Sequence, residues 1–159
     1  MTQITVITVG TLKEKYLLDA CSEYKKRLSQ YARVNEISIK EEKIPDEDDR
    51  SSVARALDAE ADAILAAIPQ DAVKIALCVE GKEHTSEELA SLISRADDER
   101  GKIALVIGSS HGLSERVKRE CRTRLSFSKM TFPHQLMRVI LYEALYRSYT
   151  IIHNKRYHK

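Results

Sequence analysis

Segments rich in apolar and β-branched residues alternate with longer segments of helical periodicity along this chain, and the alternation restricts the folds it can adopt. The strand-like segments are residues 3–9, 34–39, 73–79, 102–107 and 125–127. Helical patterns cover residues 13–30, 51–67, 85–95, 114–119 and a last helix opened by Pro133. Because parallel strands need long and usually helical crossovers, the pattern predicts an α/β fold with a mainly parallel sheet and helices on both faces.

Shorter signals refine this pattern. Thr85 and Glu88 have the spacing of a capping box at the start of the third helix. Gly81 and Lys82 are expected to form a turn after the third strand. In the last helix, apolar residues recur at helical spacing and predict its buried stripe, which consists of Leu136, Val139, Ile140, Ala144 and Leu145.

Length and composition are those of one globular domain spanning residues 1–159, with 43% hydrophobic and 31% charged residues. No apolar run approaches the roughly 20 residues of a membrane-spanning helix, and the start lacks the features of a signal peptide. We therefore expect a cytoplasmic protein with no membrane partner. Cys21, Cys78 and Cys121 lack metal-binding spacing, so we expect free thiols and no bound metal.

The net charge of +2 hides an uneven distribution. Residues 116–159 contain 11 Lys and Arg against 2 Asp and Glu, whereas residues 36–71 contain 4 against 11. A basic segment of this kind is typical of proteins that bind a polyanion, since lysine and arginine release counterions from phosphates. A solvated basic surface explains the same charge, so composition leaves nucleic-acid binding open.

Ligands of parallel sheets collect at the carboxyl ends of the strands, where helix N-termini and loop amides meet. Three loops of this chain qualify, and they begin after Val79, Ile107 and Phe127. The second contains Gly108 and Gly112, whose missing side chains let backbone approach a ligand closely. An ordinary strand-to-helix turn would also use these glycines.

Several common sites are absent from the sequence. It contains no GxGxxG dinucleotide motif, no GxxxxGK[ST] phosphate loop and no GxSxG serine-hydrolase motif. His111 lies in the second loop as a candidate base or ligand, although an isolated histidine is more often a packing or surface residue. Glu143 and Arg147 have i,i+4 spacing on the last helix, which fits either a surface ion pair or a functional pair.

Four stretches resemble a known family. They are ITVITVGTLKEKYL with EYKKRL, ALCVEGKEHTSEELA, LVIGSSHGLS, and LSFSKMTFPHQLMRVILYEALYRSYTIIHNKRYHK. Together they are similar to the ribosomal RNA large subunit methyltransferase H family of the SPOUT superfamily, over essentially the whole chain from Val6 to Lys159. The last stretch is the most specific, because a generic α/β domain has no reason to contain it.

The resemblance implies an activity, a partner and a topology. It implies S-adenosylmethionine as the methyl donor and nitrogen 3 of pseudouridine 1915, in the helix 69 loop of 23S ribosomal RNA, as the acceptor, with methylation on assembled ribosomes. It also implies a homodimer and a C-terminal trefoil knot. Knots are nearly absent from folds, so periodicity by itself would predict none.

Carried over by position, the resemblance also implies site residues. The donor-binding residues are Leu77, Gly108, Phe127, Ser128, Lys129, Met130, Thr131 and Phe132. The catalytic residues are His158, Tyr157, Glu143 and Arg147. The RNA-binding residues are Arg138, Arg147, Lys155, Arg156 and Lys159. The sequence departs from the family pattern at Cys78, Ser109 and Lys159, where an acidic residue, a glycine and often an arginine are common.

Nitrogen 3 carries an imide proton, so it becomes a good nucleophile only on deprotonation. We expect Arg147 and Lys159 to hold phosphate or the anionic base, and His158 or Tyr157 to contact the pseudouridine. Two other functions fit less well. A non-catalytic ribosome-binding module leaves the loop and tail motifs unexplained, and a SPOUT methyltransferase acting on transfer RNA would usually carry an extra RNA-binding domain.

Overall fold

The computed structural model describes residues 1–159 and contains five strands and five helices in alternation. The strands are β1 (Thr2–Val9), β2 (Ala32–Ile39), β3 (Val73–Glu83), β4 (Lys102–Ile107) and β5 (Thr123–Ser126). The helices are α1 (Lys15–Leu28), α2 (Arg50–Ala67), α3 (Ser86–Arg100), α4 (Glu115–Glu120) and α5 (His134–Ile152). The predicted α/β class is confirmed.

All five strands form one sheet in the order β2-β1-β4-β3-β5, and every neighbouring pair is parallel. The carboxyl ends of β4, β3 and β5 therefore lie side by side at one edge of the sheet. The loops that follow these three strands are the loops that the sequence singles out.

Helices cover both faces of the sheet, as predicted. Helices α1, α3 and α5 pack on one face around Ile4, Ile75 and Leu105, and α2 and α4 pack on the other around Ile7 and Val106. Successive residues of a strand point to opposite faces, so strands covered on both sides are apolar throughout. None of the five helices is both long enough and apolar enough to cross a lipid bilayer.

The predicted turn at Gly81 and Lys82 is wrong, because both residues belong to β3. The strand bulges between Leu77 and Lys82, and both of these residues are in register with Leu125 of β5. A Cβ on Gly81 would lie 2.7 Å from the carbonyl carbon and oxygen of Arg124. Only glycine allows this close approach of two strands, so a turn-like sequence continues as strand.

Helix α3 shows the predicted cap. The Thr85 hydroxyl accepts a hydrogen bond from the Glu88 amide at 3.1 Å, and the Glu88 carboxylate accepts one from the Thr85 amide at 2.8 Å. The helix extends five residues further than predicted, to Arg100, and ends at Gly101 in the left-handed conformation with φ of 63°. Glycine adopts this conformation without steric cost, so it ends the helix.

The predicted buried stripe of α5 is only partly correct. Leu145 is buried, whereas Leu136 is 38% exposed and Val139 and Ile140 are half-buried. The buried face instead contains Arg138, Leu141, Tyr142, Leu145, Ser148 and Tyr149. This face includes polar and aromatic groups that a search for aliphatic periodicity does not select.

The prediction that Arg138 binds RNA is wrong, since the side chain is 1% exposed. Its Nη2 donates hydrogen bonds to the carbonyl oxygens of Gly10 at 2.6 Å and Val9 at 3.2 Å. Its Nη1 lies 3.9 Å from the Glu36 carboxylate, which also accepts a hydrogen bond from the Tyr142 hydroxyl. Arg138 thus joins the beginning of α5 to the end of β1.

We predict that Arg138→Met lowers the free energy of unfolding by roughly 2–4 kcal/mol, because it removes two charge-assisted hydrogen bonds from a buried position. Urea unfolding followed by circular dichroism measures the change. Arg119→Met is the matched control: Arg119 is exposed on α4 and its replacement should change the free energy by under about 0.5 kcal/mol. Equal stability of the two variants would contradict the role assigned to Arg138.

Candidate active site

A cleft of about 790 Å³ lies at the carboxyl ends of β3, β4 and β5. Its walls come from the β3 bulge, the loop after β4, the loop after β5 and the first turn of α5. This carboxyl-edge cleft is lined by Leu77, Cys78, Val79, Glu80, Ile107, Gly108, Ser109, Ser110, His111, Gly112, Leu113, Lys118, Leu125, Ser126, Phe127, Ser128, Met130, Thr131, Phe132, Pro133, His134 and Met137.

Glycines shape the loop after β4. A Cβ on Gly108 would clash with the Gly112 carbonyl oxygen and lie 3.0 Å from Leu113 Cδ2. Gly112 has a φ of 88°, a conformation that other residues adopt only under strain. Its amide donates a hydrogen bond to the Ser109 carbonyl at 2.9 Å, which closes the turn. The two glycines therefore let the loop fold tightly against itself beside the cleft.

Seven of the eight residues predicted to bind the donor line this cleft. They are Leu77, Gly108, Phe127, Ser128, Met130, Thr131 and Phe132. Lys129 is exposed and does not line it. The Ser128 hydroxyl accepts a hydrogen bond from the Met130 amide at 3.0 Å, and the Ser128 carbonyl accepts one from the Ser126 hydroxyl at 3.0 Å. These bonds fold the loop over the end of β5.

One wall of the cleft carries an ion pair that the sequence did not reveal. The Lys118 ammonium binds the Glu80 carboxylate and lies 3.3 Å from that of Glu115. Lys118 holds the pKa of Glu80 below its usual range, and the two carboxylates raise the pKa of Lys118 although burial opposes them. Lys118 is therefore a fixed cation at this wall.

His111 faces the rim of the cleft, and its Nε2 lies 3.8 Å from the Glu47 carboxylate. Glu47 belongs to the acidic loop between β2 and α2. No group of three or more His, Cys, Asp or Glu side chains is arranged to bind a metal ion, so His111 has no such partners.

The four residues predicted to be catalytic form a second group, the tail cluster, which consists of Glu143, Arg147, Tyr157 and His158. The Glu143 carboxylate accepts hydrogen bonds from Arg147 at 2.5 Å and from the Tyr157 hydroxyl at 3.1 Å. Arg147 Nη1 lies 3.3 Å from His158 Nδ1, and His158 Nε2 lies 2.8 Å from the Glu87 carboxylate on α3. The sequence did not predict that Glu87 contacts this group, because Glu87 is distant in sequence from the tail. It lies in the first turn of an ordinary helix.

Burial, together with Tyr24 and Glu143, raises the pKa of Tyr157 well above its usual range, so this phenol stays protonated near neutral pH. The hydrogen bond to Glu143 raises the pKa of Arg147. Tyr157 is therefore a hydrogen-bond donor and not a proton acceptor. His158 is the imidazole of the cluster, and a neutral imidazole can accept a proton at one ring nitrogen.

The tail cluster does not line the cleft of its own chain. Met137 is the last residue of α5 in the cleft wall, and Arg147 is ten residues further on. At 1.5 Å per residue, this spacing places Arg147 about 15 Å along the helix axis from Met137. The predicted donor-binding and catalytic residues thus form two separate groups within the chain.

The basic C-terminal segment does not form one cationic patch. Arg116, Lys118, Arg122 and Arg147 form ion pairs and Arg138 is buried. Three residues predicted to bind RNA are exposed in the tail without ion pairs: Lys155, Arg156 and Lys159.

Comparison with known proteins identifies the family. Residues 2–158 match the family model described as "Predicted SPOUT methyltransferase". The ribosomal RNA large subunit methyltransferase H of Caldicellulosiruptor bescii is 47% identical over 156 residues, which cover 98% of this chain and 99% of the relative. The protein of the same name from Listeria monocytogenes is 44% identical over 157 residues, with the same shares covered.

This chain belongs to the ribosomal RNA large subunit methyltransferase H family. A solved structure described as a "Probable Methyltransferase" from Bordetella pertussis Tohama I superposes with a TM-score of 0.59 at 16% identity, covering 92% of this chain and 94% of that one. At that identity the likeness supports the fold alone. The methyltransferase H relatives match almost end to end, so the cleft and the tail cluster both lie within the shared length.

We predict that iodoacetamide at about pH 8.5 modifies Cys78 before the other two cysteines, because alkylation needs an accessible thiolate. Cys78 lines the cleft, whereas Cys21 and Cys121 are buried, and burial raises the pKa of Cys121 to about 11. Peptide mapping by mass spectrometry measures the order. Treatment in denaturant should modify all three cysteines, and equal rates for Cys78 and Cys121 in the folded protein would contradict the structure.

Proposed function

We propose that this protein transfers a methyl group from S-adenosylmethionine to nitrogen 3 of pseudouridine 1915 in the helix 69 loop of 23S ribosomal RNA, on assembled ribosomes. One observation carries the proposal: seven of the eight residues expected to bind the donor meet in a single cleft. They do so in a chain nearly half identical, end to end, to relatives named ribosomal RNA methyltransferases.

The cleft fits the donor in size and chemistry. Its volume of about 790 Å³ lies within the roughly 300–1,000 Å³ usual for pockets that bind small molecules. Leu77, Leu125 and Phe127 supply an apolar wall suited to a flat adenine ring. The backbone at Gly108 and in the loop after β5 supplies hydrogen-bonding groups for the polar edges.

The donor supplies an activated methyl group on a sulfonium, so the protein's task is to bind and orient. Holding the methyl carbon in line with the attacking nitrogen is worth several kcal/mol. The new bond joins the methyl carbon to nitrogen 3, the carbon–sulfur bond breaks, and the imide proton leaves. Gly108 keeps the loop after β4 in place, because a Cβ there would clash with the Gly112 carbonyl.

The imide proton needs an acceptor, and His158 is the residue in the tail cluster that we assign to this role. The Tyr157 phenol stays protonated and donates its one hydrogen to Glu143, so Tyr157 contacts the base with its ring. Arg147 stabilises negative charge on the deprotonated base, and Glu143 orients both Arg147 and Tyr157 through its two hydrogen bonds. Lys155, Arg156 and Lys159 contact phosphate.

The separation of cleft and tail cluster supports a homodimer in which one subunit binds the donor and its partner supplies the tail. The partly exposed apolar stripe of Leu136, Val139 and Ile140 runs along α5 from the cleft wall and suits a contact between subunits. The trefoil knot implied by the family resemblance stays a prediction.

The first test is donor binding. Isothermal calorimetry should show binding of S-adenosylmethionine by the wild-type protein and a loss of at least roughly tenfold in Gly108→Ala, because the added Cβ displaces the loop. Gly101→Ala is the matched control: it adds the same group at the opposite edge of the sheet and should leave binding unchanged. Absence of binding by the wild-type protein would refute the proposal.

The acceptor is tested with labelled donor and ribosomes, large subunits, free ribosomal RNA and transfer RNA, taken from cells without the modification. Mass spectrometry of nuclease fragments then locates the methyl group. We expect the methyl group in the helix 69 loop of assembled ribosomes, and not in free ribosomal RNA or transfer RNA. Methylation of transfer RNA instead would show that the protein acts on a different substrate of the superfamily.

Mixing inactive subunits tests the shared site. Gly108→Ala lacks a working cleft, and His158→Ala lacks the proposed proton acceptor. If the tail acts across the dimer, random exchange makes half of the dimers mixed with one intact site each, restoring about a quarter of wild-type activity. A tail that acts within its own chain predicts no recovery in the mixture.

A further inference from the structure

Helix α1 brings an arginine and a tyrosine to the tail cluster, and neither residue belongs to the basic C-terminal segment. The Arg27 guanidinium carbon lies 5.6 Å from the ring centroid of Tyr24 and 5.8 Å from that of Tyr146 on α5. The Tyr146 ring packs edge-on against that of Tyr157 at 4.8 Å. These contacts make one continuous surface from α1 to the tail.

We propose that this surface, which consists of Tyr24, Arg27, Tyr146, Arg147 and Tyr157, binds an unpaired base of an RNA loop by stacking, with Arg27 as the principal contact on α1. The inference rests on the proposed function, since it names where the RNA lies. It adds a helix to the RNA-binding surface that the C-terminal tail supplies.

Arg27 has the geometry that stacking requires. Its side chain is 43% exposed, so a ligand can reach it. Its Nε donates a hydrogen bond to Glu23 at 2.8 Å, one helical turn earlier. Guanidinium planes supported by aromatic rings are platforms for splayed-out bases in RNA recognition. The exposed ion pair with Glu23 is weak, so it presents little competition to a ligand.

The tail beside this surface carries unpaired positive charge. Arg27 and Arg147 are each paired with a glutamate of their own helix, Glu23 and Glu143. The tail adds Lys155, Arg156 and Lys159 without ion pairs. These three cations attract a phosphate backbone to the surface.

Stacking differs from simple charge attraction in its dependence on side-chain shape. Lysine keeps the charge of Arg27 but has no plane on which a base can stack. Loss of stacking on a nucleic-acid platform weakens binding by roughly five- to tenfold or more per base. Arg27→Lys should therefore weaken binding of an RNA loop nearly as much as Arg27→Ala.

The test measures binding of a fluorescein-labelled RNA hairpin with a single-stranded loop, and of the same stem without a loop, by fluorescence anisotropy. We expect Arg27→Ala and Arg27→Lys each to raise the Kd for the hairpin roughly five- to tenfold while changing the Kd for the stem by under about twofold. Arg119→Ala, an exposed arginine on α4 at the opposite face of the sheet, is the matched control and should change neither.

Four results would overturn the inference: no binding of the hairpin by the wild-type protein, equal affinities for Arg27→Ala and Arg119→Ala, full rescue by Arg27→Lys, or a changed sedimentation coefficient of Arg27→Ala. The last would show that Arg27 lies between copies of the chain. Calorimetry with S-adenosylmethionine separates the two proposals: lack of donor binding refutes the proposed enzyme activity, and loss of the Arg27 effect refutes only this surface.

Discussion

The parallel alignment of β4, β3 and β5 is the constraint on which the candidate site depends. Because the three strands are neighbours and run in the same direction, their carboxyl ends lie at one edge, and the loops that follow them meet in one cleft. Two close approaches of backbone complete it. Gly81 lets the bulged β3 return to β5, and Gly108 lets the loop after β4 fold against Gly112. Larger side chains at either position would move the walls apart.

Helix α5 connects the cleft to the tail. Its first turn lines the cleft, its middle carries Glu143 and Arg147, and Arg138 between them is buried and bound to the end of β1. The helix thereby sets the distance between the proposed donor-binding and catalytic groups. That distance of about 15 Å within one protomer is the physical reason for expecting a partner subunit to complete the site.

Much of the site was predictable by position, and particular residues show where prediction failed. Seven of the eight expected donor contacts line the cleft, because loops at strand ends and a full-length family resemblance both locate them. Lys129 lies outside the cleft wall, because consecutive residues of a loop point in several directions. The prediction that Arg138 binds RNA failed because composition counts every lysine or arginine as a surface charge, whereas Arg138 is buried. Glu87, Lys118 and Arg27 carried no signal, since the site residues that they contact, His158, Glu80 and Tyr146, are distant in sequence.

The sequence by itself determined the order of strands and helices, the cap at Thr85 and the glycine loop after β4, because periodicity and local hydrogen bonds depend on residues a few positions apart. It left open the face of α5 that is buried, the continuation of β3 through Gly81, the burial of Arg138 and the meeting of α1 with the tail. Only the tertiary structure decided these, because burial and charge pairing depend on which distant elements cover each side chain.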